Sequence, residues 1–217
     1  MIILIATRNI HKVREFRSML KPISELDVRS LADFPSYTPL EETGTTFAEN
    51  AIVKAVHAAQ ALNLWTLADD SGLVVPALRG APGIYSARYA GEGASDSDNR
   101  RKLLEEMSRL EDEARNGFFE CSIALASPQG LEKVTTGVAE GVILAKERGG
   151  GGFGYDPLFV KHGYNKTFAE LDEMTKNRIS HRRKALDKML PFLESLVAAE
   201  TPSQYIPKQD EKLTTGL

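Results

Sequence analysis

The chain carries a single cysteine, Cys121, so no intrachain disulfide can form and a reducing, cytoplasmic setting is the plain expectation. That thiol lies in the apolar run FFECSIALA, which suits a buried core position better than a nucleophile. Long apolar runs are also lacking. MIILIATRN turns polar at Thr7, too soon for a membrane span or a secretory signal. Positive charge is not in excess: 27 Lys and Arg stand against 30 Asp and Glu, a net charge of -3, which argues against a non-specific nucleic-acid binder. Neither G-x-x-x-x-G-K-[ST] nor G-x-G-x-x-G occurs at a strand end, so a P-loop enzyme or an ordinary dinucleotide binder is not expected.

What remains is an ordinary globular composition, 42% hydrophobic and 26% charged over 217 residues. That length supports one sizeable core. A single domain is expected over residues 1–199, with a disordered polar tail at 200–217. Ile2 to Ala6 read as a buried strand, and from His11 onward Val13, Phe16 and Leu20 recur at helical spacing. Strand, polar loop and helix in that order aim backbone N–H groups at whatever occupies the loop, where Thr7, Asn9 and Lys12 add donors; many α/β proteins open the same way without binding phosphate. Residues 22 to 44 read as a loop that ends in EETG. Thr46 and Glu49 have the spacing of a capping box, opening a helix with Ala48, Ile52, Ala55, Ala59 and Leu62 on one face. Asn50 and Lys54, four apart, share another face. Lys54 there is either a solvated lysine or one that faces a site.

Leu64 to Ala68 read as a strand that stops at the acidic pair Asp69 and Asp70. Two adjacent acids buried without partners would cost several kcal/mol. They are therefore expected at an open strand end or around a cation. A turn-rich stretch follows, LRGAPGIYSARYAGEG, and Asp98 is expected to cap a helix carrying Leu103, Leu104, Met107 and Leu110. Phe118 to Ala126 and Leu131 to Ala145 read as the arms of a hairpin about Ser127–Gly130. In RGGGGFGYDP five of the six residues from Gly149 to Gly154 are glycine, which suits close ligand approach, with Phe153 and Tyr155 available to stack on a flat ring. KNRISHRRKAL gathers Lys176, Arg178, His181, Arg182 and Arg183 at the start of a last helix, either as a solvated basic face or as contacts to an anion.

Carboxylates without nearby histidine or cysteine suit a hard cation, Mg²⁺ or Mn²⁺. Lysines, arginine and a helix N-terminus suit phosphates, and aromatics suit a base. Residue types alone therefore point to metal-assisted phosphoryl chemistry on a nucleotide. Six segments, ATRNIHK, EETGTTFAENAIVKA, ADDSGL, GAPGIYSARYAG, GGFGYDP and ISHRRKAL, appear in an order that resembles the inosine triphosphate pyrophosphatases, also called dITP/XTP pyrophosphatases, especially the bacterial members. The resemblance runs from Ile3 to about Leu190.

The resemblance implies an α/β fold with a long, mixed, bent sheet, helices in two lobes and an active-site cleft between them. It implies Mg²⁺-dependent hydrolysis of ITP, dITP and XTP between the α and β phosphorus atoms, by a homodimer that clears deaminated purines from the nucleotide pool. Thr7, Arg8, Asn9, Ile10, His11 and Lys12 match the phosphate loop, although Arg8 and His11 receive no individual role. Glu42 and Asp70 match the metal carboxylates, and Asp70 also the catalytic base. Ser71 and Lys54 match contacts to substrate. Phe153, Gly154, Tyr155 and Asp156 match the base-holding loop, and Lys176, His181 and Arg182 the last substrate contacts. His181, Arg182 or backbone N–H groups could donate to the C6 carbonyl of inosine or xanthine, where adenine presents a donor. Asp69 is either a second metal ligand or a turn cap. Other readings are a pyrophosphatase for pyrimidine triphosphates, a nucleotide-binding regulator without catalysis and, least favoured by the charge, a nucleic-acid module.

Overall fold

In the computed structural model, which describes residues 1–200, the apolar N-terminus forms strand β1 (Ile2–Ile5) and Asn9 caps helix α1 (Ile10–Leu20), its Oδ1 accepting from His11 N at 2.9 Å and Lys12 N at 3.4 Å. A short strand, β2 (Asp27–Ser30), breaks the segment expected to be loop. Helix α2 (Phe47–Leu62) begins as expected, with Thr46 Oγ1 accepting from Glu49 N, but Glu49 turns back to Thr45 rather than to its cap. Its buried face is centred on Ala51, Ala55, Ala58 and Ala59; of the expected stripe Ala55 and Ala59 are buried there and Ile52 and Leu62 pack at its margin.

The next strand departs most from expectation. β3 spans Trp65–Val74 and runs straight through the acidic pair instead of stopping at it. Helix α3 (Asp96–Glu106) is capped by Ser95, with Asp98 as the third residue of a capping box rather than the cap. β4 (Asn116–Ser127) and β5 (Gly130–Ile143) form the expected hairpin around Pro128 and Gln129. β6 (Phe159–Lys161) follows the glycine-rich loop. The basic segment does not start one helix. It divides into α4 (Glu173–Ile179) and α5 (His181–Glu200), with Ser180 in extended conformation between them. The tail from residue 201 onward lies outside the described residues.

The strands make one curled, mixed sheet in the order β2-β1-β3-β4-β5-β6; β2, β1 and β3 are parallel and the rest antiparallel. This agrees with the expected fold class. β1 is buried on both faces. Ile3 and Ile5 join Phe16, Met19 and Leu20 of α1 and Ala185, Leu186, Met189 and Leu193 of α5. Leu4 and Ala6 join the alanine face of α2 on the other side. Such a strand reads as a continuous apolar run, which is why it was visible in the sequence. A third cluster packs Leu103 of α3 and its C-cap residue Met107 with Leu73, Phe119, Ile143, Tyr155, Phe159 and Phe168. Cys121 is fully buried in the first cluster, and burial pushes its thiol far above its ordinary value, so it is inert. Among the described residues no helix is long and apolar enough to cross a membrane.

Candidate active site

The two-residue period of β3 decides the site. Successive side chains point to opposite faces of a sheet. Leu67 and Asp69 therefore face α1 and α5, while Ala68 and Asp70 face α2. Both acids are nearly buried, at 2% and 6% exposure, which is tolerable only because each face supplies its own cations.

On the α2 side, Lys54 Nζ lies 2.8 Å from Glu42 Oε1 and 3.2 Å from Asp70 Oδ1. Asn50, one turn earlier, donates to Asp70 Oδ2 at 3.0 Å, and its own Oδ1 accepts from Gly44 N at 2.8 Å. The EETG loop that carries Glu42 is thereby tied to the same helix. Arg88 approaches Glu42 Oε2 at 3.7 Å. Burial raises the Asp70 carboxyl above its ordinary range, with Lys54 opposing and Glu42 reinforcing the rise. Burial acts the same way on Glu42, but Lys54, Lys12 and Arg88 outweigh it and hold that carboxyl below its ordinary value. The two carboxyls that share Lys54 are thus pushed in opposite directions by their surroundings.

On the opposite face, Asp69 Oδ2 accepts from Arg182 Nε at 3.1 Å and Nη2 at 2.9 Å, and pairs with Lys12 Nζ at 3.0 Å. Arg182, 1% exposed, also donates to Ser71 Oγ at 2.9 Å and to Glu15 Oε2. Glu15 Oε1 in turn meets Lys176 Nζ at 2.9 Å, and Lys176 reaches Asp156 Oδ2 at 2.5 Å. Burial would raise Asp69 and Glu15, yet the cations win and both carboxyls lie below their ordinary values. A single ionic chain on this face therefore links the phosphate-type loop, Asp69, the glycine-rich loop and the basic segment.

The glycine-rich loop is anchored along its length. Gly151 N donates to Ala169 O, Phe153 N to Asp156 Oδ2, and Gly154 N to Asp96 Oδ2, while Gly154 O accepts from Arg100. Gly152 has φ +71, and a Cβ there would strike the Asp156 carboxylate. Tyr155 is turned inward, its hydroxyl donating to Ser86 O at 2.9 Å, so of the two aromatics only Phe153 presents a partly exposed ring. His181 is buried and stacked on Phe119 at 4.8 Å between centroids, with Nδ1 lacking a hydrogen-bond partner among the described residues. Burial, followed by the Arg182 and Lys176 charges, lowers its pKa well below the ordinary value, so the ring is neutral.

These groups surround a cavity of about 360 Å³, a suitable size for a small ligand. Thr7, Asn9 and Lys12 line it together with Lys54 and Asp70 and with Phe153, Lys176 and His181. A phosphate-type loop, an acid–lysine centre and an aromatic ring thus share one chamber. The Ham1 family model matches residues 3–192. The chain belongs to the Ham1 family. It is 58% identical to the dITP/XTP pyrophosphatase of Protochlamydia amoebophila across 89% of this chain and 98% of that protein. It is 54% identical to the dITP/XTP pyrophosphatase of Chlamydia muridarum, across 90% and 94%. Among solved structures, the Coxiella burnetii HAM1 protein matches at TM-score 0.81 and 42% identity, covering 90% of this chain and 99% of that one. The Staphylococcus aureus Ham1 protein matches at 0.79 and 42%, covering 90% and 100%. The family agrees with the resemblance carried by the six motifs.

In this Ham1-family chain Thr7, Arg8, Asn9, Lys12, Glu42, Lys54, Asp70, Ser71, Phe153, Gly154, Tyr155, Asp156, Lys176, His181 and Arg182 all line the cavity. Ile10 and His11 do not; Ile10 points to solvent at 58% exposure and His11 stacks on Phe153. Asp70 is brought to the site by a continuing strand rather than by a strand end, and Asp69 serves as a partner for Lys12 and Arg182. Arg182 spends four N–H contacts on Asp69, Glu15 and Ser71, whereas His181 keeps Nδ1 free of partners among the described residues. Sequence reasoning missed Glu15, although an acid one turn after Lys12 and beside core-facing Phe16 was a readable sign. It also missed Arg88 and Phe119, for which no local signal exists.

Proposed function

We propose that this chain hydrolyses the triphosphates of deaminated purines, ITP, dITP and XTP, to the nucleoside monophosphate and pyrophosphate. The observation that carries this reading is a cavity that joins the Thr7–Lys12 loop, the Glu42–Lys54–Asp70 centre and Phe153, in a chain 58% identical to a protein named dITP/XTP pyrophosphatase. The triphosphate would lie along the α1 N-terminus, where backbone N–H groups, the helix dipole and Lys12 favour an anion. The base would lie against Phe153.

Glu42 and Asp70 aim oxygens at one point that Lys54 Nζ already fills, so the arrangement demands positive charge there. An oxygen-only pair of carboxylates fits Mg²⁺, with Mn²⁺ as a substitute, since Mg²⁺ commonly takes one or two carboxylates together with waters and phosphate oxygens. Bound there, such an ion would neutralise charge on the phosphates. Asp70, fixed in its rotamer by Asn50, would orient the attacking water and take its proton. Lys54, displaced from that point by the ion, would pair with the incoming polyphosphate. The Glu15–Arg182–Asp69 cluster would hold Lys12 and Lys176 in place on either side. The same reading takes the enzyme as a homodimer acting on the cytoplasmic nucleotide pool.

The test is pyrophosphate release from ITP, XTP, dITP, GTP and ATP side by side, with Mg²⁺ and with EDTA. Fast release from the first three that EDTA abolishes, and little from ATP or GTP, is expected. Equal rates on all five would discard the base preference, and no release from any would discard the reading.

A further inference from the structure

Phe153 is the one ring of the glycine-rich loop that a base can reach, and two neighbours already crowd it. Lys176 Nζ sits 4.6 Å from its centroid. That ammonium is buried and held by Glu15 and Asp156, so it stays where it is. The imidazole of His11 stacks on the ring as well, with centroids 5.2 Å apart and planes inclined by 14°. A base inserted between two such rings needs about 7 Å between them, two stacking distances of roughly 3.5 Å. The observed spacing leaves no room for one.

Which partner must move is decided by the anchoring. Phe153 is held by its own N–H on Asp156 and by Gly154 bonded through both N–H and carbonyl to Asp96 and Arg100. His11 is exposed, sits in the first turn of α1, and its imidazole makes no hydrogen bond or ion pair among the described residues. We propose that His11 is a positioning residue that stands in for the base: it covers the stacking face of Phe153 in the nucleotide-free protein and must swing aside before a heteroaromatic base can bind. The inference rests on the reading that a base stacks on Phe153. It predicts that His11 opposes the base and leaves the phosphates untouched.

The experiment compares wild type with His11→Ala in three measurements. The first is the KM for ITP, the second the Ki of inorganic tripolyphosphate, and the third the chemical shift of the His11 ring protons before and after adding IMP. One exposed aromatic contact corresponds to a two- to tenfold effect. KM should therefore fall about two- to tenfold in the variant, with the change in kcat/KM carried by KM, while the Ki of tripolyphosphate stays within about twofold. In wild type the His11 protons should show an upfield ring-current shift that Phe153→Ala removes and IMP relieves. A rise in tripolyphosphate Ki in His11→Ala would make His11 a phosphate contact and overturn the proposal. A rise in KM for ITP would make it a second stacking wall for the base and overturn it equally. Either result with ITP still turned over leaves the proposed function standing. Absence of ITP turnover and of IMP binding in wild type removes that function and this inference together.

Discussion

Replacing Arg182 by methionine tests whether the buried ionic chain holds the site together. Arg182 is 1% exposed and is shared between Asp69 and Glu15, which are themselves 2% and 6% exposed. Methionine fills a similar volume, so the loss is chiefly electrostatic. Removing one partner from a buried ion pair costs about 3–5 kcal/mol. Each acid keeps one cation, Lys12 at 3.0 Å for Asp69 and Lys176 at 2.9 Å for Glu15, so the low end applies, about 3 kcal/mol. For a domain of this size that corresponds to about 6–12 °C in Tm. The fluorescence of Trp65, the only tryptophan, packed against the first core cluster, reports unfolding in urea. The pH dependence supplies a second check. Asp69 and Glu15 lie below their ordinary values of 3.8 and 4.5 in the folded state, so their contribution is fully present above those values and is lost as pH falls through and below them. The gap between wild type and Arg182→Met should therefore be constant above that window and narrow below it. A loss below about 1 kcal/mol, or a gap that does not depend on pH, would refute the reasoning.

Three further outcomes are expected. Asp70→Asn should lower ITP turnover by at least about a hundredfold, the scale of a lost general base, while its urea midpoint moves by less than about 1 kcal/mol in stability; retained turnover would remove Asp70 as the base. Phe153→Ala should raise the KM for ITP by roughly tenfold, the scale of one lost base stack, and leave the Ki of inorganic tripolyphosphate unchanged. Gly137→Ala on β5 should destabilise by about 1–3 kcal/mol, because a Cβ there collides with backbone atoms of His181 and Ala185 and pushes α5 off the sheet; thermal unfolding of that variant would show it.

The sequence by itself determined the elements whose signals are local. β1 was readable as an apolar run, α1 from the helical spacing after His11, and the β4–β5 hairpin from two long arms around a turn. The order of six motifs was enough to specify the family, and most of the cavity lining lay inside those motifs. The tertiary structure decided what depends on distant partners. Asp69 and Asp70 looked like a strand end because two adjacent acids are costly to bury alone, and nothing local announces that Arg182, 113 residues on, and Lys54, on another element, neutralise them on opposite faces. The break at Ser180, the inward turn of Tyr155 and the role of Glu15 have the same origin. Each is set by packing and charge pairing between segments far apart in the chain, where the desolvation of an ion can be balanced only by an ion that folding brings to it.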